Sequence, residues 1–411
     1  MKRNSRCWSS LSDSAERWVP PLSGLMKRNS TFDSSGLSSM ALAVLTLSAI
    51  STATSAPPPP PPPPPCRLTS GGCVIFHGGD RDDNNRSYAC FRIPGLVRLA
   101  NGSLLAFAEG RVGGCRPDVA PGNPLVARAS ADNGATWGPI RVVASPASPH
   151  TGLNYPAGLA LPAGSGGAAS LLLFFVSSDG ASWLQRSDDG GSAWSAPSNM
   201  SGVFRGRGGC GTPAGAVLPS GRLAIACSSA AGIFALLSDD GGASWRVGAP
   251  VPMGTLSGGE QQLAPDGRAP ASLSMVLRVR SNSSLANHAV SRSDDGGESW
   301  SPAELLRSVS GTTCSGSIGR DAGAPPGVVL LTAPHLLDPA DPGGRYNLTL
   351  WVYNTSAAPG AEAVAAQQLW SRAAGYSALE AGFGGSAGAS AVLFEAGDHV
   401  YDTEMVFANR L

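Results

Sequence analysis

The chain has 411 residues, with 29 basic and 29 acidic side chains and a formal net charge of zero at pH 7. That balance excludes a nucleic-acid or anionic-membrane partner recruited by bulk electrostatics, because both need a basic excess. Lysine occurs only at positions 2 and 27, so arginine is the default cation and only an arginine in a specific context is informative.

The first 65 residues carry no pattern of a packed domain. Met1-Lys-Arg-Asn-Ser5 recurs as Met26-Lys-Arg-Asn-Ser30, which makes Met26 an alternative start. A basic head then leads to the apolar run Met40 to Ile50 and to small residues ending in Ala53 or Ala56. This is the layout of a signal peptide, with an apolar stretch too short to span a bilayer comfortably; a disordered extension with a chance apolar run is the alternative. Prolines 57–65 predict a stiff polyproline II stalk. Residues 1–56 are thus expected to be a targeting segment, 57–65 a linker and 66–411 the domain. The expected setting is secreted or extracytoplasmic, with membrane contact only through an uncleaved N-terminal segment.

Glycosylation acceptors at Asn85, Asn101, Asn199, Asn282, Asn347 and Asn354 fit export. Beyond the stalk stand Cys66, Cys73, Cys90, Cys115, Cys210, Cys227 and Cys314, with no zinc-finger spacing and an odd number that leaves a thiol over. Cys66–Cys73 and Cys210–Cys227 are plausible disulfides, although spacing does not fix connectivity.

Within the domain, Cys90-Phe91-Arg92-Ile93-Pro94 places one arginine among apolar residues and stops at proline. Leu105-Ala-Phe107-Ala-Glu109-Gly-Arg111 then puts two charges at the end of an apolar strand. Next comes a pattern, Ser-x-Asp-x-Gly-x-Ser/Thr-Trp, beginning at Ser130, Ser187, Ser238 and Ser293, with Ala193 replacing the hydroxyl residue in the second copy. A period of about 50 to 57 residues reads as β-propeller blades or another stacked array. The aspartate accepts hydrogen bonds in a tight turn, glycine supplies positive φ, and tryptophan packs back on the sheet. These boxes speak for the fold and carry no chemistry. Short apolar runs between Gly- and Pro-marked turns, such as Leu171 to Val176 and Leu223 to Cys227, predict an all-β fold.

The Phe91-Arg92-Ile93-Pro94 motif, followed by the boxes in this order, resembles the sialidase (neuraminidase) family over residues 90–411. The resemblance implies a six-bladed β-propeller and an exo-α-sialidase acting on sialylated glycans as a monomer. Sialic acids bear a carboxylate on the anomeric carbon, and guanidinium forks match carboxylates. Arg92 matches the first of the family's three clamping arginines. Arg280 matches the second, although Arg278, two residues earlier, leaves the choice open. Arg345, in Gly344-Arg345-Tyr346-Asn347, matches the third. A carboxylate nucleophile would be repelled by the substrate carboxylate, and the family instead uses a tyrosine with a glutamate to take its proton. By position these are Tyr376 and Glu260. Asp118, on the Gly-rich loop after Arg111, matches the acid/base aspartate. Glu109 and Arg111 are expected at the pocket rim, and Glu404 matches a glutamate that orients the first clamping arginine. No metal or organic cofactor is implied, since each catalytic role has a side chain. A trans-sialidase, a sialic-acid-binding propeller without catalysis, and a structural Asp-box protein are the alternatives.

Overall fold

Alternating apolar runs and turns become β-strands and loops, with no helix among the described residues. The computed structural model describes residues 67–69 and 72–409, apart from 117, 119, 163–168, 212–214, 281–287, 310, 313, 322, 336–343, 358–362, 382–389 and 399–403. The targeting segment, the stalk, Cys66 and Asn282 lie outside the described residues.

A hairpin of β1 (Arg67–Thr69) and β2 (Gly72–Phe76) comes first. The first four-stranded sheet is β3 (Cys90–Arg98), β4 (Leu104–Arg111), β5 (Leu125–Ser130) and β6 (Arg141–Ala144), paired in chain order. The second repeats this with β7 (Leu153–Ala160), β8 (Leu171–Ser177), β9 (Ser182–Ser187) and β10 (Ser198–Asn199). In the third, β11 (Gly208–Cys210) and β12 (Ala216–Val217) both pair with β13 (Leu223–Ser229), followed by β14 (Gly232–Ser238) and β15 (Arg246–Val247). The fourth is β16 (Ser257–Pro265), β17 (Leu273–Arg280), β18 (His288–Ser293) and β19 (Glu304–Leu305).

The remaining strands are β20 (Ser317–Gly319), β21 (Val328–His335), β22 (Tyr346–Asn354), β23 (Ala363–Ala381), β24 (Ser390–Gly397) and β25 (Glu404–Asn409). With the N-terminal hairpin they form one eight-stranded sheet, ordered β1-β2-β25-β24-β23-β22-β21-β20. The first half of β23 pairs mainly with β22 and its second half with β24. The fold is therefore all-β and propeller-like: four separate blades and a composite sheet that joins the N-terminal strands to the C-terminal one.

Each box occupies the turn between the third and fourth strands of its blade. In the first, Asp132 Oδ1 accepts from Thr136 N at 2.8 Å and Oδ2 from Thr136 Oγ1 at 2.6 Å, while Gly134 N donates to Ser130 Oγ at 2.8 Å. The second box lacks that hydroxyl, and Asp189 accepts from the backbone N–H of Ser192 and Ala193 instead. The tryptophans pack on the preceding sheet: Trp194 against Phe107, Trp245 against Phe174, and Trp137 against Phe407 of β25, all edge-on. The box is thus a blade-to-blade joint as well as a turn, and each ring removes a large apolar area from water.

Cys210–Cys227 ties β11 to β13. A second disulfide, Cys90–Cys115, was not read from spacing, and Cys314 is the buried free thiol. Asn85, Asn101 and Asn199 are exposed. Asn347 is buried, with its side chain hydrogen-bonded to His335 and Gln368, so its amide faces inward rather than toward a glycan.

Candidate active site

The innermost strands bend at equivalent places, and this bend creates the site. Register shifts fall between Arg92 and Gly95 in β3, Asn154 and Ala157 in β7, Gly259 and Gln261 in β16, and Ala374 and Ser377 in β23. Ile93, Tyr155 and Glu260 within the first three have φ of 57°, 56° and 58°. Left-handed backbone is a genuine outlier for β-branched Ile93 and costs on the order of 1–3 kcal/mol at such sites. A bulge re-aims a side chain at the end of a strand. Here the turned backbone also directs Ile93 N–H to Glu395 Oε1, at 2.9 Å.

Arg92 is 2% exposed. Its Nε and Nη2 donate to Glu395 Oε1 and Oε2, each at 2.9 Å, in a two-pronged pair. Glu395 also accepts from Tyr376 N at 3.2 Å. Burial works against both charges, but each offsets the other. The net result holds the Arg92 guanidinium charged and the Glu395 carboxyl below the usual carboxylate range. Gly375 is required here, since a Cβ on it would collide with the Glu395 carboxylate. The partner of Arg92 is thus Glu395 and not Glu404. Glu404 lies on β25, where its Oε1 is 3.6 Å from His77 Nε2. The signal for Glu395 was present: Leu393-Phe394-Glu395-Ala396 places a lone charge at the end of an apolar strand, as the Glu109 segment does.

Tyr376 Oη donates to Glu260 Oε1, and Arg278 Nη1 pairs with Glu260 Oε2. The guanidinium carbons of Arg92 and Arg345 lie 5.6 and 5.5 Å from the Tyr376 ring centroid. Arg345 is buried, and its carbonyl accepts from Ala374 N at 3.0 Å, which fixes it against β23. Burial, reinforced by Glu260, raises the Tyr376 phenol well above the tyrosine range, and Arg278 and Arg345 pull against that. On β17, Arg278 stands opposite Gly259, beside the Glu260 bulge, and its guanidinium reaches Glu260. Arg280 is two residues farther along, opposite Ser257.

Glu109 and Arg111 are not at a rim, since each is 1% exposed. They form a buried pair, Arg111 Nη2 to Glu109 Oε2 at 2.6 Å, which neutralises two charges taken out of water. Burial still raises the Glu109 carboxyl, with Arg111 opposing. Glu109 Oε1 accepts from Tyr155 N at 3.2 Å, and Tyr155 Oη makes a long 3.5 Å contact to Glu260 Oε1. Tyr155 escaped the sequence reading because no motif marks it; its signal is structural, the same left-handed turn as Ile93. Asp118, with its side chain 46% exposed, accepts through Oδ1 from Arg92 Nη1 at 3.0 Å and Arg111 Nη1 at 3.2 Å.

The structure therefore brings together Arg92, Asp118, Glu109, Arg111, Glu260, Arg278, Arg345, Tyr376 and Glu395. Chemically this is a cluster of guanidiniums suited to a carboxylate, a phenol touching a carboxylate base, and a solvent-facing acid. Among the described residues no group of three or more His, Cys, Asp or Glu side chains forms a metal site.

The family described as BNR repeat-like domain matches residues 101–375. Human Sialidase-4 is 29% identical over 288 residues, which cover 59% of this chain and 57% of that protein. The chain therefore spans little more than half the length of that curated relative. Hadza microbial sialidase Hz136 superposes with a TM-score of 0.66 at 20% identity, covering 82% of this chain and 68% of the other. The leech intramolecular trans-sialidase, solved with 2,7-anhydro-Neu5Ac, gives 0.65 at 17% identity, over 83% and 70% of the two chains.

Proposed function

Given that the chain belongs to the sialidase family with BNR repeats, we propose that it is an exo-α-sialidase that removes terminal sialic acid with retention through a tyrosyl-sialyl intermediate. The observation that carries this reading is the contact of Tyr376 Oη with Glu260 between two guanidiniums. A nucleophile in hydrogen-bond reach of its base is the arrangement covalent catalysis needs.

Arg92, Arg278 and Arg345 hold the substrate carboxylate. Tyr376 approaches the anomeric carbon as a neutral phenol and passes its proton to Glu260. The neighbouring guanidiniums favour the phenolate as it forms, while Arg278 keeps Glu260 aligned. Asp118 supplies the proton to the leaving oxygen. To do so it parts from Arg92, whose guanidinium then turns to the substrate. In the second half-reaction Asp118, ionised by the first, takes a proton from water, whose oxygen displaces Tyr376 from the anomeric carbon while Glu260 returns the phenol's proton. Glu395, Glu109 and Arg111 fix the geometry from below.

We read the eight-stranded composite sheet as a fifth and a sixth blade that share β23, which makes the proposed propeller six-bladed. The disulfides Cys90–Cys115 and Cys210–Cys227, both among the described residues, support a secreted or extracytoplasmic setting. The decisive experiment follows hydrolysis of sialyllactose by proton NMR. The α-anomer of free sialic acid is expected first, before mutarotation. The β-anomer appearing first excludes the tyrosyl route, and absence of any released or transferred sialic acid excludes the whole reading.

A further inference from the structure

Between β4 and β5 the chain runs through 112–124, longer than the usual connection within an antiparallel sheet, where loops of roughly 2–5 residues prevail. Its base is closed: Val112 N donates to the Oδ1 of buried Asn123 at 3.2 Å. Asp118 rides on this loop, and the Cys90–Cys115 disulfide crosses to it from the strand that carries Arg92. Cys90 is the first residue of β3 and stands opposite Arg111. Arg111 Nη1 in turn donates to Cys115 O at 2.5 Å and to Asp118 Oδ1 at 3.2 Å. One covalent bond and one buried arginine therefore fix the loop at Cys115, three residues before Asp118.

We propose that the Cys90–Cys115 disulfide is a positioning device for the acid/base Asp118, anchoring its loop to the Arg92 strand. The inference rests on the sialidase reading above. Its physical content is reach. From Cys115, three residues allow Asp118 a swing of at most about 10 Å; with that tie cut, the nearest backbone anchor is Gly122, whose N–H donates to Thr151 O at 2.7 Å, and four residues allow about 14 Å. General acid catalysis needs the proton donor within hydrogen-bond distance of the leaving oxygen. Misplacement of a catalytic group by as little as ~1 Å can cost on the order of 100-fold. The tether therefore matters for the leaving group and not for the clamp: Arg92 is held by Glu395 whether or not the loop is tied.

The test is a Cys90→Ser/Cys115→Ser variant of the full chain, assayed on sialyllactose and on an aryl sialoside whose phenolate leaves with little protonic help. The expected result is a fall in kcat/KM of about tenfold or more on sialyllactose, while on the aryl substrate kcat/KM should stay within about twofold. That ratio reports the step in which the leaving oxygen departs; the later attack of water, which Asp118 assists for both substrates alike, does not enter it. Asp118→Ala sets the ceiling of this split. The Cys210→Ser/Cys227→Ser variant, which opens a disulfide in another blade, should show no such split. In parallel, amide hydrogen exchange in 112–124 should speed up in the Cys90→Ser/Cys115→Ser variant and leave β3 protected. Equal losses on the two substrates, or unchanged exchange in the loop, would overturn the proposal. A wild-type protein that cleaves neither substrate refutes the sialidase reading instead, and the exchange measurement still decides whether the disulfide holds the loop. If the double variant does not fold, partial reduction and alkylation replaces it. Cys115 is partly exposed, whereas Cys210 and Cys227 are buried, so Cys90–Cys115 should open before Cys210–Cys227.

Discussion

Replacing Glu395 by Gln separates the structural reading from the sequence reading most cleanly, because the latter gave the same role to Glu404. Glu395 accepts four hydrogen bonds: from Arg92 Nε, Arg92 Nη2, Ile93 N and Tyr376 N. The amide nitrogen of glutamine accepts none, so at least one oxygen's share is lost: one bond from the Arg92 guanidinium and one from a backbone N–H. Bonds to a charged group are worth roughly 1.5–3 kcal/mol each, which sums to about 3–6 kcal/mol. Breaking a buried ion pair from one side independently suggests about 3–5 kcal/mol. Glu404 Oε1 stands 3.6 Å from Nε2 of His77, whose side chain is 44% exposed. Glu404→Gln should then cost about 1 kcal/mol or less. Urea denaturation at pH 7 measures both, and titration with a sialic-acid analogue reports on Arg92. The reasoning is refuted if Glu404→Gln destabilises as much as Glu395→Gln, or if Glu395→Gln costs under about 1 kcal/mol.

Three further outcomes are expected. Tyr376→Phe should lose turnover on aryl and natural sialosides alike, and a fluorinated mechanism-based sialoside should label the wild type at Tyr376; labelling elsewhere removes it as nucleophile. Arg278→Ala should weaken binding of a sialic-acid analogue by about 2–5 kcal/mol, as truncation of a desolvated charged contact does, and Arg280→Ala by much less; the reverse order would return the clamp to Arg280. His288 is buried, and burial lowers its imidazole to about 4 from 6.5. Below pH 6.5 the unfolded chain therefore binds a proton that the folded one refuses. Stability should fall between pH 6.5 and about 4, by up to about 3 kcal/mol. Urea midpoints measured across that window should decline less steeply in His288→Gln.

The boxes were legible because each uses local chemistry: an aspartate, a glycine and a tryptophan within eight residues decide both turn and packing. Arg92, Tyr376 and Asp118 were legible because they sit in short motifs. What escaped depends on sequence-distant neighbours. Glu395 and Glu404 are both carboxylates near the end of the chain, and only the pairing of β24 with β23 puts the first under Arg92. Arg278 and Arg280 share a strand and a face by periodicity, so no local rule separates them; only the pairing of β17 with β16 puts Arg278 opposite the bulge that carries Glu260. Glu109 and Arg111 were expected at a rim because two charges usually seek water. Their mutual pairing makes burial tolerable, and strand alternation alone does not reveal it.

The pair of Arg92 and Glu395 spans 303 residues, and this sets a clock on biosynthesis. At 5–20 residues per second, Arg92 leaves the ribosome about 15–60 s before its counter-charge exists. Tyr376 arrives almost as late, and the N-terminal hairpin of β1 and β2 cannot join its sheet until β25 is made. On the proposed sialidase reading, the nascent chain stays inert until β23 and β24 are both made, since Tyr376 and Glu395 lie on them, and a product terminated before them would lack catalytic power.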